Sequence, residues 1–90
     1  MTDREKWLKL VPLIAEGGIT TASCPNCKRI SLDFRYIVSP TDHIGYLLLW
    51  CNSCLHGISV SRVRAPKDVA VRWFDDPDAL KDIPDFTRHE

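Results

Sequence analysis

The sequence has no long hydrophobic run and no secretion signal. Its longest uninterrupted apolar stretch, Tyr46–Cys51, is far shorter than the roughly 20 residues that a membrane-spanning helix needs. The N-terminus, Met1–Lys6, mixes charges and lacks the apolar core of a signal peptide. Disulfide-bonded proteins belong mainly to oxidising compartments, and nothing in the sequence directs the chain to one. We therefore expect a soluble cytoplasmic protein with reduced cysteines and no membrane contact.

The chain also lacks net charge. It carries 12 basic and 12 acidic side chains and has a formal net charge of zero, so the chain as a whole has no electrostatic preference for nucleic acid. The charges are unevenly distributed, because residues 17–64 sum to +3 and residues 65–90 sum to −3. The second of these regions is therefore an acidic C-terminal extension.

Catalytic signatures are missing as well. There is no glycine-rich phosphate loop, and no serine lies in a nucleophile elbow or beside a base. Of the three histidines, His43 falls in a predicted turn and His89 in the tail. His56 follows Cys54 by two residues and could replace a thiolate, but we expect it to be a partly exposed residue of the second knuckle. We expect no enzymatic activity and no small-molecule substrate.

What the chain does contain is four cysteines in two Cys-x-x-Cys pairs, with 23 residues between the pairs. Two residues between thiolates let one tight turn, here called a knuckle, direct both sulfurs at one ion, and two knuckles complete the tetrahedral shell of structural Zn²⁺. Two disulfides or four buried thiols are the alternatives. We predict one structural Zn²⁺ per chain, with four ligands: Cys24, Cys27, Cys51 and Cys54.

The metal is expected to matter for folding. Ninety residues make a single small domain whose core alone gives marginal stability, and the binding energy of a structural zinc is folding free energy. Four thiolates on Zn²⁺ leave a local negative charge, which Lys28 and Arg29 partly offset because they directly follow the first knuckle.

The N-terminal region predicts a helix. Thr2–Glu5 fits a capping box. Pro12 should kink or restart the helix because it cannot donate a backbone hydrogen bond, and Gly17 and Gly18 should end it. The apolar residues of this region recur at helical spacing: Trp7, Leu10, Val11 and Ile14.

The middle of the chain predicts strands. Apolar and polar residues alternate over 30–38 and again over 58–63, with turn residues at 39–43. Residues 44–50 are apolar on both faces, which is typical of a central strand covered on both sides. A short strand over 19–22 is expected to lead into the first knuckle.

The face of this central strand that carries Leu47 and Leu49 needs a cover. We expect it to be covered by the N-terminal helix, or by aromatic residues of the tail. These candidate covering residues are Trp7, Val11 and Ile14 in the helix and Trp73 and Phe74 in the tail.

The tail predicts a further strand and a turn. Residues 69–74 alternate, and Asp76 and Pro77 provide a cap and a first-turn proline for a short helical turn over 78–82. Pro84 should end that turn, and the last few residues are expected to fray.

Two knuckles that flank a hairpin, each followed by a strand, resemble the zinc-ribbon superfamily found in transcription factors, RNA polymerase subunits and ribosomal proteins. The match covers about residues 19–64, and the whole chain is also similar to short uncharacterised bacterial zinc-ribbon proteins, notably of actinobacteria. With the strand pattern, this resemblance implies a small metal-stabilised α+β domain. Its parts are an N-terminal helix (1–18), an antiparallel zinc β-ribbon of three to four strands (19–64) and a short C-terminal extension (65–90).

Rubredoxin-type iron sites also use two Cys-x-x-Cys turns. Their knuckles typically place glycine directly after the second cysteine, where the backbone must be permissive. This chain has Lys28 and Leu55 at those positions, and both disfavour a left-handed backbone. We therefore expect zinc rather than redox iron.

A binding module remains, and two functions compete. In the first, the protein is an interaction adaptor or small regulatory subunit that docks on a protein partner, with Trp73 and Phe74 as possible anchors, while Trp7, Tyr46 and Trp50 fill the core. In the alternative, it binds nucleic acid as part of transcription or the ribosome, with Phe34 or Tyr36 stacking on bases. The possible phosphate contacts are Lys28, Arg29, Arg35, Arg62 and Arg64.

Overall fold

The computed structural model describes residues 3–66 and 69–89. Its elements in chain order are helices α1 (Asp3–Leu8) and α2 (Val11–Glu16), a 3₁₀ turn (Ile19–Thr21), and strands β1 (Leu32–Val38), β2 (Ile44–Cys51), β3 (His56–Arg64), β4 (Val71–Trp73) and β5 (Thr87–Arg88). The predicted capping box begins at Thr2, which lies outside the described residues. No helix within the described ranges is both long and apolar enough to cross a membrane.

The N-terminal residues form two helices because the chain restarts at Pro12. The first helix ends at Leu8, and Pro12 lies in the first turn of the second, where its missing N–H costs nothing. Gly17 ends α2 with a left-handed φ of 78°, and the Gly18 N–H donates to the Leu13 carbonyl at 2.9 Å. Both the restart and the glycine stop are confirmed.

The predicted strand over 19–22 is wrong. The chain forms a 3₁₀ turn there, in which the Thr21 N–H donates to the Gly18 carbonyl at 3.2 Å and the Thr21 hydroxyl donates to the same oxygen at 3.0 Å. The turn places Ile19 in the core, where it is 2% exposed. Tight turning between helix and knuckle therefore prevails over the β-propensity of the segment.

The five strands form one mixed sheet in the order β4-β1-β2-β3-β5. The three long strands are antiparallel as predicted, with Leu32 opposite Cys51 and Leu49 opposite Ile58. The two short edge strands are parallel to their neighbours, β4 to β1 and β5 to β3. The sheet is thus wider than the expected three to four strands and is not wholly antiparallel.

The helix-side face of the sheet carries Leu47 and Leu49, which are both fully buried. They share a core cluster with Trp7 and Ile14 of the helices, and Trp73 packs against its margin. The expected cover by the N-terminal region is confirmed, because Trp7 is 1% exposed in that cluster. Of the two tail residues considered as an alternative cover, Trp73 adds to this packing, whereas Phe74 stacks on Tyr46 of the opposite face.

The tail-side face carries Leu48 and Trp50, and the C-terminal extension covers it. The Phe86 ring stacks on Trp50 at 5.6 Å between centroids, and Ala79 is buried in the same cluster. The predicted helical turn over 78–82 is a series of four-residue turns rather than a regular helix, with the Lys81 N–H donating to the Asp78 carbonyl at 3.1 Å. Both faces of the central strand are therefore covered from Leu47 onward, as its apolar sequence predicted, whereas Ile44 at its start is 37% exposed.

The end of the chain is not frayed as far as the structure describes it. Thr87 and His89 donate their backbone N–H groups to the carbonyls of Leu55 and Gly57, both at 2.8 Å. These bonds attach β5 to the outer edge of β3 directly after the second knuckle. The expectation of fraying is wrong up to His89, because the edge of β3 offers carbonyl acceptors there.

Candidate metal centre

The two knuckles have the same backbone geometry. In the first, the Lys28 N–H donates to the Cys24 carbonyl, and in the second, the Leu55 N–H donates to the Cys51 carbonyl, both at 2.9 Å. Lys28 and Leu55 both adopt left-handed backbone, with φ of 67° and 55°. The expectation that these residues avoid this conformation is wrong, and so the contrast with rubredoxin-type knuckles does not distinguish zinc from iron.

The left-handed backbone is imposed by the knuckle itself. The chain must reverse directly after the second cysteine for the N–H of the next residue to reach the carbonyl of the first cysteine. A left-handed conformation costs a non-glycine residue roughly 1–2 kcal/mol. Lys28 and Leu55 each carry this cost, which the surrounding contacts must offset.

The four cysteine sulfurs lie together. The Sγ atoms of Cys24 and Cys54 are 3.7 Å apart and those of Cys27 and Cys51 are 3.6 Å apart, and all four lie within 4.8 Å of one another. None of the four cysteines is in a disulfide. Zinc–sulfur bonds of about 2.3 Å in a tetrahedron place sulfurs about 3.8 Å apart, so the cluster has the dimensions of a four-thiolate metal site.

Backbone N–H groups point at the inner sulfur of each knuckle. Cys24 Sγ accepts hydrogen bonds from the N–H groups of Asn26 and Cys27 at 3.3 and 3.4 Å. Cys51 Sγ accepts one from the Ser53 N–H at 3.4 Å. Such donors stabilise negative charge on the sulfur and fix its direction, so the chain itself orients the inner ligands.

Burial divides the cysteines into an inner and an outer pair. Cys24 and Cys51 are fully buried, whereas Cys27 and Cys54 are partly exposed. Burial raises the pKa of the Cys24 thiol to about 12 and also raises the pKa of Cys51. The backbone N–H of Arg29 lowers the pKa of Cys27 to about 7. Binding a cation at this cluster therefore has to release protons from the inner thiols.

The other candidate ligand does not join the cluster. His56 is half-buried, and its Nδ1 is 2.8 Å from Nε2 of His89 in a hydrogen bond between two stacked rings. The group of potential metal ligands found within the described ranges contains the cysteines alone. His43 lies in the hairpin turn, as predicted, with its ring 5.4 Å from Trp73.

The predicted phosphate-contacting residues do not converge on one surface. Lys28 and Arg29 lie at the knuckle end of the sheet, and Arg62 and Arg64 lie at the opposite end of β3. The eight residues of β2 separate these ends by about 23 Å at 3.3 Å per residue. Of the predicted stacking residues, Tyr36 is 3% exposed and Phe34 is half-buried, with its ring edge-to-face on Tyr36.

Arg35 is held by the tail. Its guanidinium contacts Asp82 at 2.7 Å and Asp33 at 2.9 Å and lies over the Trp50 ring. Arg72 contacts the same Asp82 oxygen at 3.0 Å, and the hydrogen bond from Arg35 lowers the pKa of Asp82 to about 2. No sequence signal reveals this contact, because 47 residues separate Arg35 from Asp82.

The two predicted partner anchors differ. Trp73 packs against the helix-side core and His43 and is half-buried. Phe74 is 53% exposed, although its ring stacks on Tyr46 at 6.0 Å. Phe74 therefore presents an aromatic surface to solvent.

The geometry of the cysteine cluster is that of a metal-binding module. Four cysteines from two matching knuckles meet in one cluster, two of them are fully buried, and the chain directs N–H groups at the buried pair. Comparison with known proteins finds no matching family model, no matching curated protein and no matching solved structure.

Proposed function

We propose that this chain is a non-enzymatic zinc-binding protein of the zinc-ribbon type that serves as a protein-interaction adaptor. The observation that carries the proposal is the spacing of the four cysteine sulfurs, 3.6 and 3.7 Å for the closest pairs. This spacing fits a closed tetrahedral shell with Cys24, Cys27, Cys51 and Cys54 as ligands. Zinc is the usual ion in structural four-cysteine sites, and thiolates favour it over hard cations.

The role proposed for the ion is structural. Four thiolates would leave no open coordination position, which a catalytic zinc needs for water or substrate. The inner ligands Cys24 and Cys51 belong to the helix-side core cluster, so the ion would join the knuckles to that core. The chain's own residues would orient the ligands and exclude water from the inner pair.

The adaptor role rests on the arrangement of charges and exposed aromatic surface. Four of the five basic residues considered for phosphate contacts lie at the two ends of the sheet, and the fifth, Arg35, lies mid-strand on β1 and is already paired with Asp82 and Asp33. This dispersal argues against a single nucleic-acid surface, which needs convergent cations. Phe74, by contrast, is a large exposed aromatic residue of the kind that anchors protein interfaces.

The test of the metal site is elemental analysis of the purified full-length chain. We expect about one equivalent of zinc per chain and release of protons when zinc is added to chelator-treated protein. The Cys54→Ser variant should lose most of the bound zinc, while the matched knuckle variant Ser53→Ala should retain it. Iron in place of zinc, or folded metal-free protein with two disulfides, would contradict the proposal.

A further inference from the structure

One exposed apolar surface has no cover among the described residues. Ile44 and Tyr46 lie two residues apart on β2 and therefore share the tail-side face, and Phe74 stacks on Tyr46 at 6.0 Å. Ile44 is 37% exposed and Phe74 is 53% exposed. We call these three side chains the Phe74 patch.

One side of the Phe74 patch is basic. Arg64 is paired with Ile44 across β2 and β3, and residues directly opposite in an antiparallel pair share a face. Arg62 is nearby on the same strand, at a bulge where its backbone is left-handed with φ of 57°. Neither arginine has an ion-pair partner in residues 3–66 and 69–89. Asp42 in the hairpin turn offsets only part of this charge, and its carboxylate accepts the Ile44 N–H at 3.1 Å.

The other side of the patch is acidic. Phe74 arrives from β4, where its N–H donates to the Val38 carbonyl at 3.1 Å. Asp75, Asp76 and Asp78 follow at once, and none of them has an ion-pair partner in the part of the chain that the structure describes. Lys81 is the single cation in residues 75–82. The aspartates follow β4, which lies beyond β1 at one side of the sheet, whereas Arg64 lies on β3. β3 is itself two strand spacings, or about 10 Å, from β1.

We propose that the Phe74 patch is a contact surface for a second copy of this chain. An apolar centre with a basic rim on one side and an acidic rim on the other is self-complementary under a two-fold axis through the centre. That axis places Arg64 of each copy near Asp75 of the other. The zero net charge means that no overall repulsion opposes the association. The inference rests on the proposed interaction role of Phe74 and names the partner.

Pairing through the sheet edges is a poorer route to such a dimer. β4 covers only Tyr36–Val38 of β1 and leaves the start of that strand as an edge. There, the Phe34 N–H donates to Asp33 Oδ1 at 2.8 Å and the Phe34 carbonyl accepts from Arg35 Nη1 at 2.6 Å. On the β3 edge, Arg4 Nη1 donates to the Ser59 carbonyl at 3.2 Å, and the bulge at Arg62 interrupts the strand beyond it. Occupied and bulged edges resist strand addition, so the contact is between faces.

The expected dimer is weak. Three large side chains and two charged rims fall short of the roughly 20–30 residues a side of a stable interface. Sedimentation velocity of the zinc-loaded full-length chain, from about 10 µM to 1 mM, should therefore show a monomer–dimer equilibrium that weakens as salt is added. A chain that stays monomeric at the highest concentration in low salt would overturn the inference.

The centre of the contact is tested with Phe74→Ser. This variant should be monomeric over the whole concentration range, while Leu80→Ser should dimerise like the wild type because Leu80 has the same 53% exposure but lies outside the patch. Unchanged near-ultraviolet circular dichroism and one equivalent of zinc confirm that each variant is folded. Dimerisation that survives Phe74→Ser in folded protein would show that another surface is used and would overturn the proposal.

The two-fold geometry is tested by charge reversal. Arg64→Asp alone and Asp75→Arg alone should each raise the dissociation constant about tenfold, because two contacts in the dimer change sign together. The double variant should recover the wild-type value, and an equimolar mixture of the two single variants should form a heterodimer. Failure of both rescues would exclude the proposed arrangement. Monomeric protein that keeps one equivalent of zinc would refute the dimer and leave the zinc-binding proposal intact.

Discussion

The helix-side face of the sheet buries twelve of the described residues in one cluster that includes Cys24 and Cys51, whereas the cluster on the tail-side face has five buried residues and no cysteine. The first cluster is therefore continuous with the candidate metal site. The second is held by the stack of Phe86 on Trp50 and by the contact of Asp82 with two arginines. The two faces of the same central strand are therefore covered in different ways, and only the helix-side cover depends on the knuckles.

The difference also concerns the kind of structure that provides the cover. The helix side is covered by α1 and α2, whose ends are defined by Pro12 and Gly17. The tail side is covered by the turns that carry Ala79 and by Phe86, which directly precedes the two-residue strand β5. A cover with few buried residues and little regular structure belongs to the low-stability end of local unfolding. We therefore expect the tail to open before the helices do.

The largest expected effect comes from removing a metal ligand. Cys54→Ser, or chelation of the proposed zinc from the wild type, should unfold the knuckle end and the helices that pack on the same cluster, since structural zinc contributes on the order of 10 kcal/mol in finger peptides. Short helices are not stable alone. Near-ultraviolet and far-ultraviolet circular dichroism measure the loss, with Ser53→Ala as the control. A Cys54→Ser protein with both spectra unchanged would show that the helix-side core does not need the metal.

A smaller effect separates the two faces directly. Trp7→Ala and Phe86→Ala each remove a buried ring, at 1% and 5% exposure, and each should cost about 3–5 kcal/mol of stability. Only Trp7→Ala should also weaken zinc retention, because Trp7 belongs to the cluster of Cys24 and Cys51. Competition with a chelator at neutral pH measures this retention. Equal loss of zinc in both variants would mean that the faces are energetically one unit.

The smallest effect concerns the ion pairs of the tail. Asp82→Asn should increase amide hydrogen exchange at Thr87 and His89, which bond to Leu55 and Gly57, with Asp85→Asn as the matched control. The native pKa of Asp82, about 2, lies below its ordinary value of 3.8, so the carboxylate stabilises the fold above pH of about 4. That contribution is lost as the pH falls through about 2.

The difference between wild type and Asp82→Asn in the protection of these two amides against hydrogen exchange should therefore be the same at pH 7 and pH 5. Both measurements lie above the titration range of this carboxylate in the folded and the unfolded chain. A difference that halves between these two pH values would show that Asp82 does not act through its charge. Exchange unchanged in the variant at both pH values would show that the stack of Phe86 on Trp50 holds the tail without the ion pairs.

The sequence alone determined the features that depend on neighbouring residues. The spacing within each Cys-x-x-Cys pair predicted the cysteine cluster, Pro12 and Gly17 predicted the restart and the end of the helix, and alternation predicted the three long strands. The all-apolar pattern of β2 predicted a strand covered on both sides. Each of these signals is local, because capping, backbone restriction and side-chain alternation act within a few residues.

Features that join distant residues depend on the tertiary structure and have no local sequence signal. The parallel pairing of β4 with β1 and of β5 with β3 depends on where the chain returns after β3. Strands of three and two residues carry too little pattern to specify it. The contact between Arg35 and Asp82 spans 47 residues. Lys28 and Leu55 adopt a left-handed backbone against their own propensities. The hydrogen bonds and packing of the knuckle outweigh the cost of this conformation, which is roughly 1–2 kcal/mol per residue. Local patterns specify the individual helices and strands. Their arrangement in the fold follows from the need to bury both faces of the sheet.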